Sequence, residues 1–156
     1  PGQIVMTSSS AKTFAGGGSS YAATLVQGVA GTTPRLTVTG SNTLHNLGIT
    51  AGIAASYIRF TSGTTTTFTG LGFSGTAGSL ITVDASSTTN YTFSQAAGTV
   101  SCDYLSLSRC VTSGGASFYA GANSTNGGNN TGWTFTAPPA PPVVGKNLSS
   151  AFFLFA

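Results

Sequence analysis

The sequence predicts an all-β fold, a short right-handed parallel β-solenoid with extended N- and C-terminal arms. The first observation is compositional: 40% of the residues are hydrophobic, only 4% are charged, and the formal net charge is +3. Disordered chains combine low hydrophobicity with high net charge, so this chain is expected to fold. Its many Thr, Val, Ile, Tyr and Phe residues favour strands. The second observation is that short strand-like runs recur about every 20–24 residues, a spacing typical of β-solenoids.

The recurring runs form two sets. Runs of the first set read as a short strand closed by a turn and start 22 residues apart in both intervals: LTVTG (36–40), IRFTSG (58–63) and LITVDA (80–85). Runs of the second set share the form apolar–small–apolar–polar and start 24 and then 34 residues apart: NLGIT (46–50), GLGFSG (70–75) and YLSLSR (104–109). The longer interval predicts an insertion or an extra strand, NYTFS (90–94), in the third turn.

The drift in this spacing leaves a second fold open. An antiparallel β-sandwich, such as a jelly roll, also consists of short strands separated by turns about every 8–12 residues. In a solenoid, one coil cannot bury its own apolar side chains, and stacking of the coils does so. The two folds therefore differ in whether like residues of successive repeats lie beside one another.

Four segments are expected along the chain. Residues 1–33 are rich in Gly and Ser, with two short apolar runs at 4–6 and 24–26, and are predicted to form an extended arm. Residues 34–136 form the β-repeat domain. The sequence APPAPP (137–142) is a Pro-rich linker, because proline cannot donate to a sheet ladder and favours an extended conformation. Residues 143–156 form a hydrophobic C-terminal tail.

The tail ends in AFFLFA (151–156), which holds no polar residue. An exposed apolar end of this kind promotes aggregation, so it is expected to be buried on its own domain or on a neighbour. Phe152, Phe153, Leu154 and Phe155 are therefore the hypothetical assembly anchor, acting by strand addition to the edge of a partner.

The candidates for catalysis are few. Asp84 and Asp103 are the only acidic residues and lie 19 residues apart, nearly one coil, so they could stack as a carboxylate pair for glycoside cleavage. The simpler interpretation is that Asp84 is a turn residue and that Asp103 is a surface charge or pairs with Arg109. His45 is the only histidine, and no G-x-S-x-G motif accompanies it. We predict that the protein is not an enzyme.

Cofactors and several partner classes are not expected. Cys102, Cys110 and His45 do not have the spacing of a metal site, and the two cysteines are expected to be free thiols. The Gly-rich runs lack the lysine of a phosphate loop.

The five basic residues form no cluster, which argues against nucleic-acid binding. The chain opens without a secretory signal pattern, and no apolar stretch reaches the roughly 20 residues of a membrane span.

The stretch GGASFYAGANSTNGGNNTGWTFT (114–136) contains no charged residue, His or Cys. Its Phe118, Tyr119 and Trp133 could form a platform on which a sugar stacks. The terminal coil of a solenoid, however, exposes its apolar interior unless something covers it. We therefore predict that these three aromatics cap the core, and that the Asn- and Gly-rich part forms a loop.

Residues 12–136 resemble the Gly/Ser/Thr-rich, β-solenoid-like repeat modules of bacteriophage virion structural proteins. The resemblance is carried by KTFAGGGSSYAATL, LTVTGSNTLHNLGIT, FTSGTTTTFTGLGFSGTAGSLITVDAS and, most specifically, GGASFYAGANSTNGGNNTGW. It implies a virion protein, either a capsid decoration (cement) protein or a head or tail fibre component, and it supplies no catalytic residue. It also implies a homotrimer that contacts major capsid or tail proteins. The alternative is a receptor- or glycan-binding adhesin module of a tail fibre, which would contact a host surface glycan.

Overall fold

The structure is a computed structural model that describes residues 1–31, 33, 35–50, 53 and 55–141. Within these residues the chain forms strands and turns with no helix, and the strands stack in parallel as a β-solenoid of about five turns. The prediction of a parallel solenoid is confirmed. The antiparallel sandwich is excluded, because every pairing between strands of the described part of the chain is parallel.

Fifteen short strands follow one another through the described residues. In chain order they are β1 (Gly2–Met6), β2 (Lys12–Ala15), β3 (Ser20–Gln27), β4 (Leu36–Thr39), β5 (Asn42–Ile49), β6 (Ser56–Phe60), β7 (Thr65–Gly72), β8 (Ile81–Ala85), β9 (Tyr91–Ser94), β10 (Thr99–Ser101), β11 (Leu105–Leu107), β12 (Cys110–Ser113), β13 (Ser117–Tyr119), β14 (Thr125–Asn126) and β15 (Trp133–Thr134).

The strands form three parallel sheets, in which neighbouring strands come from successive coils. The first sheet has the order β1-β3-β5-β7-β9-β12, the second β14-β11-β8-β6-β4-β2, and the third β10-β13-β15. The chain alternates between the first two sheets. In the early coils the first-sheet strands β3, β5 and β7 have eight residues each. Later coils replace this long strand with two short ones, β9 followed by β10 and then β12 followed by β13.

The core consists of ladders of like side chains inside the coils. Along β8 the residues alternate between buried and half-buried, because successive side chains of a strand point to opposite faces. Ile58 of β6 pairs with Val83 of β8, and both are fully buried. The register thus places apolar residues of successive repeats side by side, as stacking of coils requires.

Aromatic rings fill the middle of the stack. Phe60 stacks on Tyr91 with ring centroids 5.0 Å apart, and Phe93 meets Phe60 edge-to-face at 4.9 Å. Phe68 contacts Phe93 at 5.3 Å. Aromatic pairs at such distances contribute about 0.5–1.5 kcal/mol each beyond their burial. This cluster joins β6 of the second sheet to β7 and β9 of the first sheet.

Residues 1–33, predicted as an extended arm, instead supply the first coils in their described part. Ile4 of β1 pairs with Leu25 of β3, and Leu25 pairs with Leu47 of β5. The physical reason is burial: Leu25 and Leu47 are 0% exposed, and Ile4 packs on the same core. The Gly- and Ser-rich sequence of this segment forms its turns rather than a separate arm.

The second set of repeats also requires correction. YLSLSR (104–109) was expected to match NLGIT and GLGFSG, which lie in β5 and β7 of the first sheet. It contains β11 instead, which pairs with β8 of the second sheet through Leu105 and Ile81. The predicted extra strand NYTFS is present as β9, between β7 and β12. Residues 137–141 of the linker form no strand, and the tail over 143–156 lies outside the described residues.

Candidate functional site at the ends of the solenoid

The C-terminal end of the solenoid is covered by aromatic side chains. Phe118 in β13 is 2% exposed and pairs with Trp133 in β15. Their rings meet edge-to-face with centroids 5.2 Å apart. Trp133 and Phe135 are half-buried against the core, so they separate the last buried aromatic from solvent. The structure thus places Phe118 and Trp133 where a core cap is needed.

Tyr119, the third residue expected in this cap, points the other way. Because side chains alternate along a strand, the inward position of Phe118 puts Tyr119 on the outer face. Its register partners Ser101 and Thr134 are both exposed. Tyr119 is therefore a half-exposed surface residue of the third sheet and does not cover the core.

The polar loop between β13 and β15 turns its side chains back onto the preceding coil. The amide of Asn130 donates to the Leu107 carbonyl oxygen at 2.8 Å, and its Oδ1 accepts from the Cys110 backbone N–H at 3.0 Å. The Asn123 amide and backbone N–H both donate to the Asp103 carboxylate, at 2.8 and 3.0 Å. These asparagines satisfy backbone groups and a charge that would otherwise face solvent, so the loop serves the shape of the coil end.

The two aspartates are not brought together. Asp84 lies on the outer face of β8, where Arg59 forms an ion pair with it at 3.1 Å and the Tyr57 hydroxyl donates to its Oδ2. Asp103 precedes β11, whereas Asp84 follows the residues of β8 that pair with β11. The carboxylates therefore lie at opposite ends of the paired segment. Hydrogen bonds from Asn123 and Tyr104 lower the pKa of Asp103, which keeps it ionised as a turn residue.

The other candidates for catalysis are the two cysteines and His45. Cys102 and Cys110 are free and buried, and burial raises the pKa of each to about 12, so neither forms a reactive thiolate near neutral pH. His45 lies 3.3 Å from the Thr69 hydroxyl on the first sheet. Among the residues that the structure describes, no group of three or more His, Cys, Asp or Glu is placed to hold a metal ion. In that same part no helix is long and apolar enough to cross a membrane.

The N-terminal end of the solenoid is an open pair of strand edges. β1 and β2 are the end strands of the first and second sheets, and each pairs on one side only within the described residues. Ile4 and Met6 are half-buried against the core. Val5 points outward, is 42% exposed, and is the one large hydrophobic side chain exposed in the described part of the chain.

A shallow groove of about 210 Å³ lies on the outer face of the first sheet. Its polar lining comes from Thr24 and Asn46, and its floor includes Gly48 and Gly72, which pair with each other. A side chain at Gly72 would meet nothing within 4 Å, so the fold itself does not require glycine there. Glycine inside a strand often marks a place where a ligand or another backbone approaches.

Sequence reasoning did not find the open edge of β1. A signal for it was present in the apolar runs at 4–6 and 24–26, which are one coil apart and pair with each other. The proposed anchor residues Phe152, Phe153, Leu154 and Phe155 lie outside the described residues.

A scan against protein-family models found no match, and searches of curated proteins and of solved structures found none either. The function of the chain is therefore inferred from its own residues.

Proposed function

We propose that this chain is a non-enzymatic structural protein of a bacteriophage particle, either a capsid decoration (cement) protein or a component of a head or tail fibre. The observation that supports a non-enzymatic role is that charged side chains hold the solenoid together, and the virion is proposed from the resemblance of residues 12–136 to virion repeat modules. Arg59 binds Asp84, Arg35 donates to the Ser9 carbonyl oxygen at 2.6 Å, and Arg109 donates to the Thr88 carbonyl oxygen at 2.7 Å. These three arginines and Asp84 therefore stabilise the fold through contacts within the chain.

The mechanism is mechanical. Each coil of the stack contributes buried residues to a continuous core, so neighbouring coils stabilise one another. Ser and Thr hydroxyl groups make the surface polar although it carries few charges. Some of them also bond to a neighbouring coil, as the Ser86 hydroxyl does to the Ser62 hydroxyl. Such a rod can dock to a particle and present its outer faces. The proposed partners are other copies of the chain, as a homotrimer, and capsid or tail proteins of the virion.

Immunogold electron microscopy tests the proposed location. An antibody raised against the purified chain would be applied to virus particles. The particles would be isolated by density gradient from a sample whose nucleic acid encodes the chain. We expect gold label on intact particles, and co-sedimentation of the chain with them after a high-salt wash. A chain that stays in the particle-free fractions would contradict the proposal. Pre-absorption of the antibody with the purified protein provides the control.

A glycan-binding adhesin module is the second candidate, and the groove on the first sheet favours it. The Asn46 amide and the Thr24 hydroxyl offer hydrogen bonds to sugar hydroxyls beside a glycine floor. The groove is smaller than the roughly 300–1,000 Å³ of small-molecule pockets, so it suits a surface contact with one sugar unit. A glycan array probed with the chain and with Asn46→Ala would test it. Specific binding lost in Asn46→Ala supports the adhesin function, and no binding by the unmodified chain removes it.

A further inference from the structure

The edge of β1 has the character of a docking surface. Its partner on one side is β3, while on the other side no strand pairs with it within the described residues. The backbone N–H and C=O groups of that edge are therefore free to bond an added strand. Proteins commonly protect such edges with charges, proline or a covering segment. β1 itself, GQIVM, carries no charge.

The side chains of β1 define what would fit beside it. Ile4 and Met6 face the core, whereas Val5 faces outward. A strand added here would continue the core with one set of its residues and would cover Val5 with the other set. A strand that is apolar on both faces suits this edge, unlike the strands of a half-solvated sheet, which alternate apolar and polar residues.

The C-terminal segment 151–156 has this property. In an extended conformation Phe152 and Leu154 point to one face, and Phe153 and Phe155 to the other. The segment has six residues, and β1 has five. In the rest of the chain, strand sequences such as SYIRF and ITVDA place polar residues on the outer face.

The chain between the solenoid and this segment is long enough to reach β1 of a second copy. β15 is the last strand of the stack and β1 belongs to the first coil, so these two strands lie at opposite ends of the solenoid. Five turns at about 4.8 Å make a stack about 24 Å tall. The nine residues 142–150 span at most about 30 Å when fully extended, which is enough to carry the segment to the edge strand of an adjacent molecule. A neighbouring copy can place its β1 next to the C-terminal end.

We propose that Phe152–Phe155 of one copy add as a strand to β1 of a second copy and cover Val5. The contact is heterologous, because the tail of one molecule meets a different surface of the next, so closure of the ring gives a small cyclic oligomer such as a trimer. The inference rests on the proposed structural role and extends it, since it names the surface through which the copies assemble.

Cross-linking between two single-cysteine additions tests this contact. Val5→Cys and Ala156→Cys would be prepared separately, mixed, and treated with a short bis-maleimide. Ala156→Cys leaves the four large apolar residues of the tail intact. The native thiols of Cys102 and Cys110 are buried with pKa values near 12, so they contribute little background. We expect a covalent dimer of twice 15.5 kDa in the mixture, well above the amount in either variant alone.

Two controls make the outcome decisive. Thr82→Cys, on the outer face of β8, replaces Val5→Cys in a matched mixture and should give no dimer above background. The double variant Val5→Cys/Ala156→Cys, treated at high dilution, tests docking onto the same molecule. An internal cross-link there without a dimer in the mixture would overturn the second-copy proposal. Absence of cross-linking in both would overturn docking at β1 altogether.

A charge substitution gives an independent readout. Phe153→Asp should dissociate the assembly in sedimentation velocity while leaving the far-ultraviolet circular dichroism spectrum unchanged, and Ser150→Asp serves as the matched control. This proposal and the proposed function fail separately. Gold-labelled particles without a dimer cross-link would contradict the docking contact alone. A cross-link in a chain that never associates with particles would contradict the virion role alone.

Discussion

At the scale of the residue, many polar side chains of the described residues form hydrogen bonds with a neighbouring coil. The Asn130 amide bridges two backbone groups of the preceding coil, and the Asp103 carboxylate accepts hydrogen bonds from Asn123 across the same interval. The 19-residue spacing of the two aspartates could not reveal this, because burial and hydrogen-bond partners depend on the register between coils. Free buried thiols at Cys102 and Cys110, by contrast, were predicted correctly as free.

Two glycines differ in what the fold requires of them. Gly114 has a φ of 88°, and a Cβ there would collide with the Gln95 carbonyl oxygen. Gly114→Ala is expected to lower the free energy of unfolding by at least about 1–3 kcal/mol. Gly72→Ala should leave it unchanged or raise it by up to about 1 kcal/mol, because its Cβ meets nothing within 4 Å. Urea denaturation measures both variants, and equal losses would contradict this description of the two sites.

The buried thiols predict sensitivity to alkaline pH. Burial raises the pKa of Cys102 and Cys110 from 9.0 to about 12, so the folded protein keeps protons that the unfolded chain releases above pH 9. Stability is therefore full below about pH 9 and falls as the pH rises toward 12. At pH 10 the loss is about 1 kcal/mol per thiol. Urea midpoints at pH 8, 9 and 10 should fall less steeply in Cys102→Ala/Cys110→Ala than in the unmodified chain, and equal slopes would refute this.

At the scale of the element, the alternation within strands was predictable and their sheet membership was less so. The runs beginning at Leu36, Ile58 and Leu80 were predicted as equivalent strands, and β4, β6 and β8 do lie side by side in the second sheet. YLSLSR has the same apolar–small–apolar pattern as NLGIT, yet β11 belongs to the other sheet. A local pattern records which side chains are buried, whereas the sheet that a strand joins depends on the length of the preceding turn.

The first coils illustrate the same limit. β1 to β3 contain many small and polar residues, so their strand signal is weak when each is considered alone. Ile4 and Leu25 become core residues only because Leu47 of the next coil pairs with Leu25. Ile4, Leu25 and Leu47 lie about one coil apart in the sequence. That spacing predicts their pairing better than the strand propensity of each segment does.

The terminal coil is expected to open before the rest of the solenoid. β14 and β15 have two residues each, and Trp133 is the single tryptophan of the chain. Because solenoid coils contact only their neighbours, loss of the cap in Trp133→Phe or Trp133→Ala should free the last coil without unfolding the centre. Hydrogen exchange should show faster exchange in β13 to β15 for Trp133→Ala than for Trp133→Phe, with β6 to β8 unchanged. Uniform acceleration along the chain would contradict a local cap.

At the scale of the whole molecule, the two ends of the solenoid differ within the described residues. The C-terminal end carries Trp133 and Phe135, whereas the N-terminal end leaves β1 with an exposed Val5. Fold class followed from composition and period, but the difference between the ends did not. It depends on which strands lack a neighbour, and only the pairing of the strands reveals that.

The central claim is that the solenoid is an assembling structural unit whose C-terminal tail joins the copies. Light scattering coupled to size exclusion on the full chain and on a chain ending at Pro142 tests it most directly, with circular dichroism to verify that both are folded. We expect the full chain to run as a trimer of three times 15.5 kDa and the shortened chain as a folded monomer. The same mass per folded particle for both chains would contradict the claim.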